Sequence, residues 1–257
     1  MPKTLISQFL IDQYFQPGIR KLPPRSDKVR QKATVMKVDY RGRKIQTYHW
    51  DNGGPLVYMA HGWGSRGMRF FYLVDRLIEA GYSVFTFDGV AHGESDGKST
   101  SFLEFTDLNH HFLSKMETPK LLIGHSMGGA ALINVAHELK IDVPMVLFAP
   151  MFSIAQVIQN IKKRSKLPGF VVDQMIKTIE KKVGRITSEH ETIDKVPNFN
   201  APALILHDPE DDMTYWENSE KLAAAWPNCR LERADDCGHS KIIRDPEMAD
   251  RVLNFLK

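Results

Sequence analysis

One short segment constrains the fold of this chain more than any other, because it places a serine between two glycines where a strand gives way to a helix. The apolar run 121–123 is of the kind that a buried parallel strand needs, and good helix formers with apolar residues at helical spacing follow over 130–139. The chain must therefore turn sharply within 124–128, which reads Gly-His-Ser-Met-Gly. The two glycines remove Cβ atoms that would clash in this turn, which leaves Ser126 on a strained corner with its hydroxyl facing a cleft.

Strand-like and helix-like segments alternate from residue 33 onward, and this order predicts an α/β fold, a mostly parallel twisted sheet with helices on both faces. Arg41-Gly42 predicts a hairpin between the first two strands, and Ser101 is a candidate helix cap. Besides the strand before Ser126, the predicted strands are 33–40, 44–50, 56–60, 83–87, 145–149, 203–207 and 230–233. The predicted helices are 68–80, 101–115, 130–139, 215–226 and 242–255.

The segment 151–196 breaks this alternation, since it offers two helical stretches, 154–163 and 170–182, and no clear strand. It carries nine Lys or Arg against five Asp or Glu, a charge that favours a solvated helix face. We predict a small helical cap inserted into a core domain that comprises 1–150 and 197–257. Within that core, residues 1–30 predict a short amphipathic helix and a proline-rich lead-in.

The composition excludes several classes of function. Of the 257 residues, 42% are hydrophobic and 25% are charged, as in ordinary globular proteins. The formal charge of +3 is too small to predict a nucleic-acid partner. The two cysteines, Cys229 and Cys237, indicate no disulfide framework, and no cluster has metal-ligand spacing. Residues 1–12 lack a secretory signal, and no apolar segment reaches the ~20 residues of a membrane span, so we expect a cytoplasmic protein.

Two loops downstream of Ser126 carry the groups that a reactive serine requires. A hydroxyl becomes a good nucleophile only when a base takes its proton and a third group orients that base. The strand 203–207 runs into a loop crowded with carboxylates at 208–212, and the strand 230–233 runs into a loop that presents His239 directly after a glycine. The order of serine, acid and histidine along the chain predicts a catalytic triad.

A fourth element lies upstream, where the strand 56–60 ends in His61-Gly62. Acyl transfer needs backbone N–H groups that point at the oxyanion as it develops, and a glycine beside such a donor lets the chain approach closely. The amides of Trp63 and Met127 are the natural pair for this oxyanion hole.

These motifs resemble those of the α/β-hydrolase superfamily of serine hydrolases over about residues 33–257. The resemblance rests on His-Gly-Trp-Gly at 61–64, Phe-Asp-Gly-Val-Ala-His-Gly-Glu-Ser at 87–95, the turn 124–128, His-Asp-Pro-Glu-Asp at 207–211, and Gly-His at 238–239 followed by 242–246. It implies an α/β-hydrolase fold, with Ser126 as nucleophile, Asp211 as acid and His239 as base. The family usually has Gly where Asp208 stands and Val-Pro near Thr214-Tyr215, and Asp212 is the alternative acid.

The resemblance implies a serine esterase that cleaves small-molecule carboxylic esters through an acyl-enzyme, without cofactor or metal. Because the cap is short, we expect small to medium acyl groups. We expect His61, Gly62, Met151 and Phe152 to contact the substrate. A thioesterase, a small-amide hydrolase and a weakly catalytic ligand-binding homologue remain alternatives, and the sequence does not indicate the oligomeric state.

Overall fold

The computed structural model describes residues 15–18, 21–152, 168–183 and 192–257. Within these residues a single eight-stranded sheet has the strand order β1-β2-β4-β3-β5-β6-β7-β8. Its strands are β1 (Thr34–Tyr40), β2 (Arg43–Trp50), β3 (Leu56–Ala60), β4 (Ser83–Phe87), β5 (Leu121–His125), β6 (Met145–Phe148), β7 (Ala203–His207) and β8 (Cys229–Arg233). The pairs β1–β2 and β2–β4 are antiparallel and all other neighbours are parallel, so the predicted mostly parallel sheet is confirmed.

The predicted hairpin between β1 and β2 is confirmed as a two-residue turn. Tyr40 pairs with Arg43, and the two residues between them have positive φ angles, 48° at Arg41 and 75° at Gly42. A turn with two positive φ angles matches the right-handed twist of the flanking strands, which is why such turns prevail in short hairpins.

Helices cover both faces of the sheet. The described helices are α1 (Arg25–Arg30), α2 (Phe71–Glu79), α3 (Phe102–Leu113), α4 (Met127–Leu139), α5 (Gly169–Val183), α6 (Trp216–Ala225), α7 (Gly238–Lys241) and α8 (Pro246–Phe255). Apolar residues of α3, α4 and α6 pack in one core cluster, and those of α1, α2 and α8 pack in another. Ser101 caps α3 as predicted, because its Oγ accepts a hydrogen bond from the amide of Glu104 at 3.2 Å.

Two predicted helices differ from the observed ones. A 3₁₀ turn, Gly67–Phe70, occupies the first residues of the helix predicted over 68–80, and only α2 is α-helical. The continuous helix predicted over 242–255 is wrong: a 3₁₀ turn, Ile242–Arg244, is followed by extended backbone at Asp245, and α8 then begins at Pro246. Proline lacks an N–H and disfavours helical backbone in the residue before it, so the chain restarts its helix there.

The predicted cap is only partly within the described residues. The helix predicted over 170–182 is confirmed as α5, whereas the helix predicted over 154–163 and the amphipathic helix predicted near the start of the chain lie outside them. The two ends of the predicted insertion meet, since the Thr192 hydroxyl donates to the Phe152 carbonyl at 2.7 Å. The division into core and cap stays a prediction. No helix among the described residues has the length and apolar character needed to cross a membrane.

The parallel part of the sheet gathers the candidate residues at one edge. Trp63 follows β3, Ser126 follows β5, Asp211 follows β7 and His239 follows β8. These four strands run in the same direction, so the loops after them meet at their carboxyl ends, where open α/β sheets bind ligands.

Candidate active site

Ser126 occupies a strained backbone conformation at the junction of β5 and α4. Its φ of 53° and ψ of −120° lie outside the regions that L-residues favour. The flanking glycines are required by close contact between backbones. A Cβ on Gly124 would lie 2.5 Å from the Gly129 Cα, and a Cβ on Gly128 would lie 2.2 Å from the Ala60 carbonyl oxygen. The expectation that these glycines remove clashing Cβ atoms is confirmed.

The structure brings Ser126, His239 and Asp211 into a hydrogen-bonded line. The Ser126 Oγ lies 3.0 Å from the His239 Nε2, and the His239 Nδ1 lies 2.7 Å from the Asp211 Oδ2. A carboxylate only accepts hydrogen bonds, so Nδ1 carries the imidazole proton and Nε2 is left to accept the serine proton. Asp212 is exposed, and of the two candidate acids it is Asp211 that faces His239.

Several donors besides His239 surround the Asp211 carboxylate. Its Oδ2 accepts from the Thr214 hydroxyl at 3.0 Å and lies 3.4 Å from the His207 Nε2, and its Oδ1 accepts from the amides of Met213 and Thr214. Burial by itself raises the pKa of this carboxyl, but the hydrogen bonds from His207 and His239 outweigh it and hold the pKa well below its usual range. Asp211 is therefore a fixed anion that can stabilise a positively charged His239.

Hydrogen bonds on both sides also hold the backbone around His239. Its carbonyl accepts from the His125 Nε2 at 2.8 Å, and the amide of Gly238 donates to the Asp208 Oδ2 at 2.6 Å. Burial and the charge of the neighbouring His239 lower the pKa of His125 to about 3. His125 is thus a neutral donor that ties the serine turn to the loop of the candidate base.

The chain after β3 lies directly against the serine turn. A Cβ on Gly62 would come within 2.9 Å of the Ser126 Cβ, so only glycine allows this approach. Met127 is the first residue of α4, and its amide is one of the donors that a helix N-terminus leaves without an intrahelical acceptor. Among the described residues, the amides of Trp63 and Met127 donate no hydrogen bond to a backbone carbonyl in the turns, loops or helix caps. Both are suited to receive an anionic oxygen beside Ser126.

The structure does not bring the His61 side chain to the substrate side. It is fully buried, its Nδ1 donates to the Gly62 carbonyl at 2.8 Å, and its Nε2 accepts from the Gly89 amide at 2.9 Å. The expectation that His61 contacts the substrate is corrected accordingly: its side chain holds together the loops after β3 and β4. His92 has a similar place, because it accepts from the Gly64 amide at 3.1 Å.

A pocket of about 310 Å³ opens beside the serine. Trp63 and Met213 line it and are 37% and 48% exposed. Gly62, Met151 and Phe152, which were expected to contact the substrate, do not line it; Met151 is buried and its amide donates to the Ser126 carbonyl at 3.0 Å. The other lining residues are Gly18, Gly64, Ser65, Arg69, His125, Ser126, His239, Ser240 and Ile243. Among the described residues, no group of three or more His, Cys, Asp or Glu side chains is arranged so that it could hold a metal ion.

Comparison with known proteins identifies the family. The family model described as "Serine aminopeptidase, S33" matches residues 54–196, more than half of the chain. This chain is an S33-type α/β-hydrolase. The match includes Ser126 and both candidate oxyanion amides and ends before the loops of Asp211 and His239.

Sequence relatives match about two thirds of this chain or less, whereas a solved structure matches nearly all of its fold. A monoglyceride lipase of Rattus norvegicus is 29% identical over 186 residues, which span 66% of this chain and 59% of the relative. A monoglyceride lipase homolog of Monkeypox virus is 25% identical over 60% of this chain and 57% of its own length. An esterase structure from Pyrococcus furiosus superposes with a TM-score of 0.67 at 22% identity, over 93% of this chain and 96% of that one. This chain thus matches less than two thirds of the curated relatives' length.

In this S33-type hydrolase, sequence reasoning missed most of the residues that support the site. Nothing in the sequence around 207–214 indicates that the side chains of Thr214 and His207 contact the Asp211 carboxylate, or that Asp208 binds the amide of Gly238. Arg69 and Met213 also line the pocket without having been anticipated. Nothing in the turn 124–128 predicts that the His125 ring contacts the loop of His239. The available signal was the carboxylate of Asp208 directly after the apolar strand 203–207, because a carboxylate at a buried turn requires donors.

Proposed function

We propose that this protein is a serine hydrolase that cleaves carboxylic esters of small to medium acyl groups. The observation that carries the proposal is the hydrogen-bonded line from Ser126 through His239 to Asp211. These three groups supply a nucleophile, a base and an anion that orients the base, which is the set required for acyl transfer. The monoglyceride lipase relatives and the esterase fold neighbour support the same class of substrate.

The reaction begins with attack of the Ser126 Oγ on the ester carbonyl carbon. The His239 Nε2 takes the serine proton, and Asp211 stabilises the imidazolium that forms. The carbonyl oxygen becomes an oxyanion and accepts hydrogen bonds from the amides of Trp63 and Met127. Donors placed where charge develops are worth about 3–4 kcal/mol each in such sites.

Collapse of this intermediate breaks the bond to the leaving alcohol. The proton on the His239 Nε2 passes to the alkoxy oxygen, and the acyl group stays on Ser126 as an ester. A water molecule then gives a proton to the same nitrogen and attacks the acyl carbon. The bond to the Ser126 Oγ breaks, the Nε2 proton passes to that oxygen, and the acid is released.

The size of the pocket supports the limit on acyl length. A pocket of about 310 Å³ lies at the low end of ligand sites and suits a short acyl chain better than a long one. Trp63 and Met213 give it apolar surface, whereas Arg69 and Ser240 contribute polar residues to its lining. A site of this kind fits an ester with a short apolar acyl part and a polar alcohol part.

The test compares wild-type protein with Ser126→Ala on p-nitrophenyl esters from acetate to dodecanoate. We expect kcat/KM to fall at least ~1,000-fold in the variant, with an optimum of the wild type at short or medium chains. Ser114→Ala, an exposed serine at the end of α3, is the matched control and should hydrolyse the esters like wild type.

A fluorophosphonate probe provides a second measure, because it should label the wild type and not Ser126→Ala. If Ser126→Ala keeps more than a tenth of wild-type turnover, or if folded wild type resists the probe, the proposal is wrong. Comparison of matched oxygen esters, thioesters and amides then decides the leaving group. We expect the oxygen ester to have the highest kcat/KM.

A further inference from the structure

Asp208 is a buried carboxylate at the carboxyl end of β7, beside the candidate acid. It follows the last residue of β7 directly and is 2% exposed. Its Oδ1 accepts from the amide of Glu210 at 2.8 Å, and its Oδ2 accepts from the amide of Gly238 at 2.6 Å. A buried charge is costly unless it is hydrogen-bonded, and here each oxygen has a backbone donor.

The two donors belong to different loops of the active site. Glu210 lies one residue before Asp211, and Gly238 lies one residue before His239. One carboxylate therefore joins the loop that carries the candidate acid to the loop that carries the candidate base. Gly238 has a φ of +55°, so the chain turns where it is held.

A second contact fixes the same loop from the opposite side. The His239 carbonyl accepts from the His125 Nε2, which belongs to the serine turn. The backbone of His239 is thus held between the elements that carry its two partners. Asp208 and His125 hold the backbone on either side of the imidazole, one at Gly238 and the other at the His239 carbonyl.

We propose that Asp208 is a positioning residue, which sets the place of His239 relative to Asp211 and Ser126 by binding the Gly238 amide. This inference rests on the proposed hydrolase function. The contact between His239 and Asp211 spans only 2.7 Å, and displacements of about 1 Å in an active site can reduce rates about 100-fold. Loss of the carboxylate should therefore lower turnover while the pocket that binds the substrate stays as it is.

The experiment measures kcat and KM with p-nitrophenyl butyrate for Asp208→Ala, Asp208→Gly and Asp208→Asn, per active site titrated with fluorophosphonate. We expect kcat to fall about 10-fold or more in the alanine and glycine variants, with KM within about twofold of wild type. Asparagine keeps one acceptor oxygen and should recover part of the loss. Glu210→Ala removes an exposed carboxylate from the same loop and should keep kcat within about twofold.

A measurement that needs no turnover separates this inference from the proposed function. Amide hydrogen exchange at Gly238, followed by NMR in the Ser126→Ala background, should be slow with Asp208 present and at least about 10-fold faster with Asp208→Ala, while the amides of β7 are unchanged. If the wild type hydrolyses no ester, the proposed function fails and the exchange rate still tests the role of Asp208.

Three results would overturn the inference. The first is an Asp208→Ala variant with wild-type kcat per titrated site. The second is a loss of activity that is fully explained by fewer titratable sites, since that indicates a folding role alone. The third is exchange at Gly238 that does not depend on Asp208.

Discussion

The two sides of the candidate active site are held in place by different physical means. On the side of the nucleophile, backbone packs against backbone: the chain after β3 and the turn after β5 approach so closely that Gly62 and Gly128 cannot carry a Cβ. On the side of the acid and base, side chains bridge the loops after β7 and β8. There, Asp208 accepts from the amide of Gly238 and so joins the two loops. Thr214 donates to Asp211 within the loop after β7, and His125 joins the serine turn to the loop after β8.

This difference indicates how each side should respond to mutation. Where two backbones are in contact, an added side-chain atom forces the whole end of a strand or helix to move, so small intermediate effects are not expected. A set of hydrogen bonds can lose one member and keep the others. We therefore expect substitutions on the nucleophile side to remove folding and activity together, and substitutions on the acid-base side to give graded losses of kcat.

The largest effect is expected from Gly128→Ala. Its Cβ would lie 2.2 Å from the Ala60 carbonyl oxygen and 2.6 Å from that of His61, so the backbone of β3 or α4 must move. We expect a loss of more than about 3 kcal/mol in the free energy of unfolding, measured by urea denaturation, together with loss of fluorophosphonate labelling.

Gly129→Ala is the matched control in the next position of the same helix. Its Cβ would meet side-chain atoms of Pro150 and Leu147 at 3.3 Å and 3.4 Å, and alanine is favoured over glycine in helices by about 1 kcal/mol. We expect it to stay within about 1 kcal/mol of wild type. Equal stability of the two variants would contradict the steric account of the nucleophile side.

An intermediate effect is expected from Thr214→Val on the acid-base side. This nearly isosteric change removes the hydroxyl that donates to the Asp211 Oδ2 and leaves both backbone amides on Oδ1. Loss of one hydrogen bond to a charged group costs about 1.5–3 kcal/mol where it is buried. We expect kcat to fall about 10-fold, with unchanged KM and a folded protein by circular dichroism. A loss as complete as that of Ser126→Ala would contradict the graded behaviour.

The smallest expected effect is on the pH dependence of the free energy of unfolding. It tests whether a buried histidine near the nucleophile side contributes to that dependence. Burial lowers the pKa of His92 to about 4, so between pH 6.5 and 4 the unfolded chain binds a proton there that the folded chain does not. Stability from this residue is therefore present above pH 6.5 and is lost as the pH falls. His61 and His125 act in the same direction, whereas Asp88, whose pKa burial raises to about 6, opposes them.

The measurement is the free energy of unfolding in urea at pH 7 and pH 5 for wild type and His92→Gln. Wild type should be less stable at pH 5, and this loss should be smaller in the variant by about 1–2 kcal/mol. His137→Gln, at an exposed position on α4, serves as a control with little change. An identical pH dependence in wild type and His92→Gln would show that His92 does not titrate differently on folding.

The sequence allowed the sheet and the candidate triad to be predicted because each rests on a local signal. Short apolar runs such as 121–123 indicate buried strands, and the order of Ser126, Asp211 and His239 after separate strands indicates a shared edge. Proline chemistry also predicts the break before Pro246, but the helical periodicity across 242–255 favours one continuous helix.

The supporting residues could not be predicted, because their partners lie far away along the chain. The His125 ring reaches a carbonyl 114 positions later, and Asp208 reaches an amide 30 positions later. His61 was misjudged for a related reason. A histidine after a strand can face either the pocket or the protein interior, and only the loop after β4 decides that it faces the interior.

The contact between the Ala60 carbonyl and Gly128 also has a consequence for motion. Two backbone segments in such contact move as one body, so the nucleophile and the oxyanion donors should keep their mutual geometry while the protein fluctuates. Within the described part of the candidate site, we expect larger displacements in the loops after β7 and β8 than at this contact. We therefore expect inserted residues to be tolerated in the loops after β7 and β8. Insertions directly after β3 or at the start of α4 should disrupt the fold.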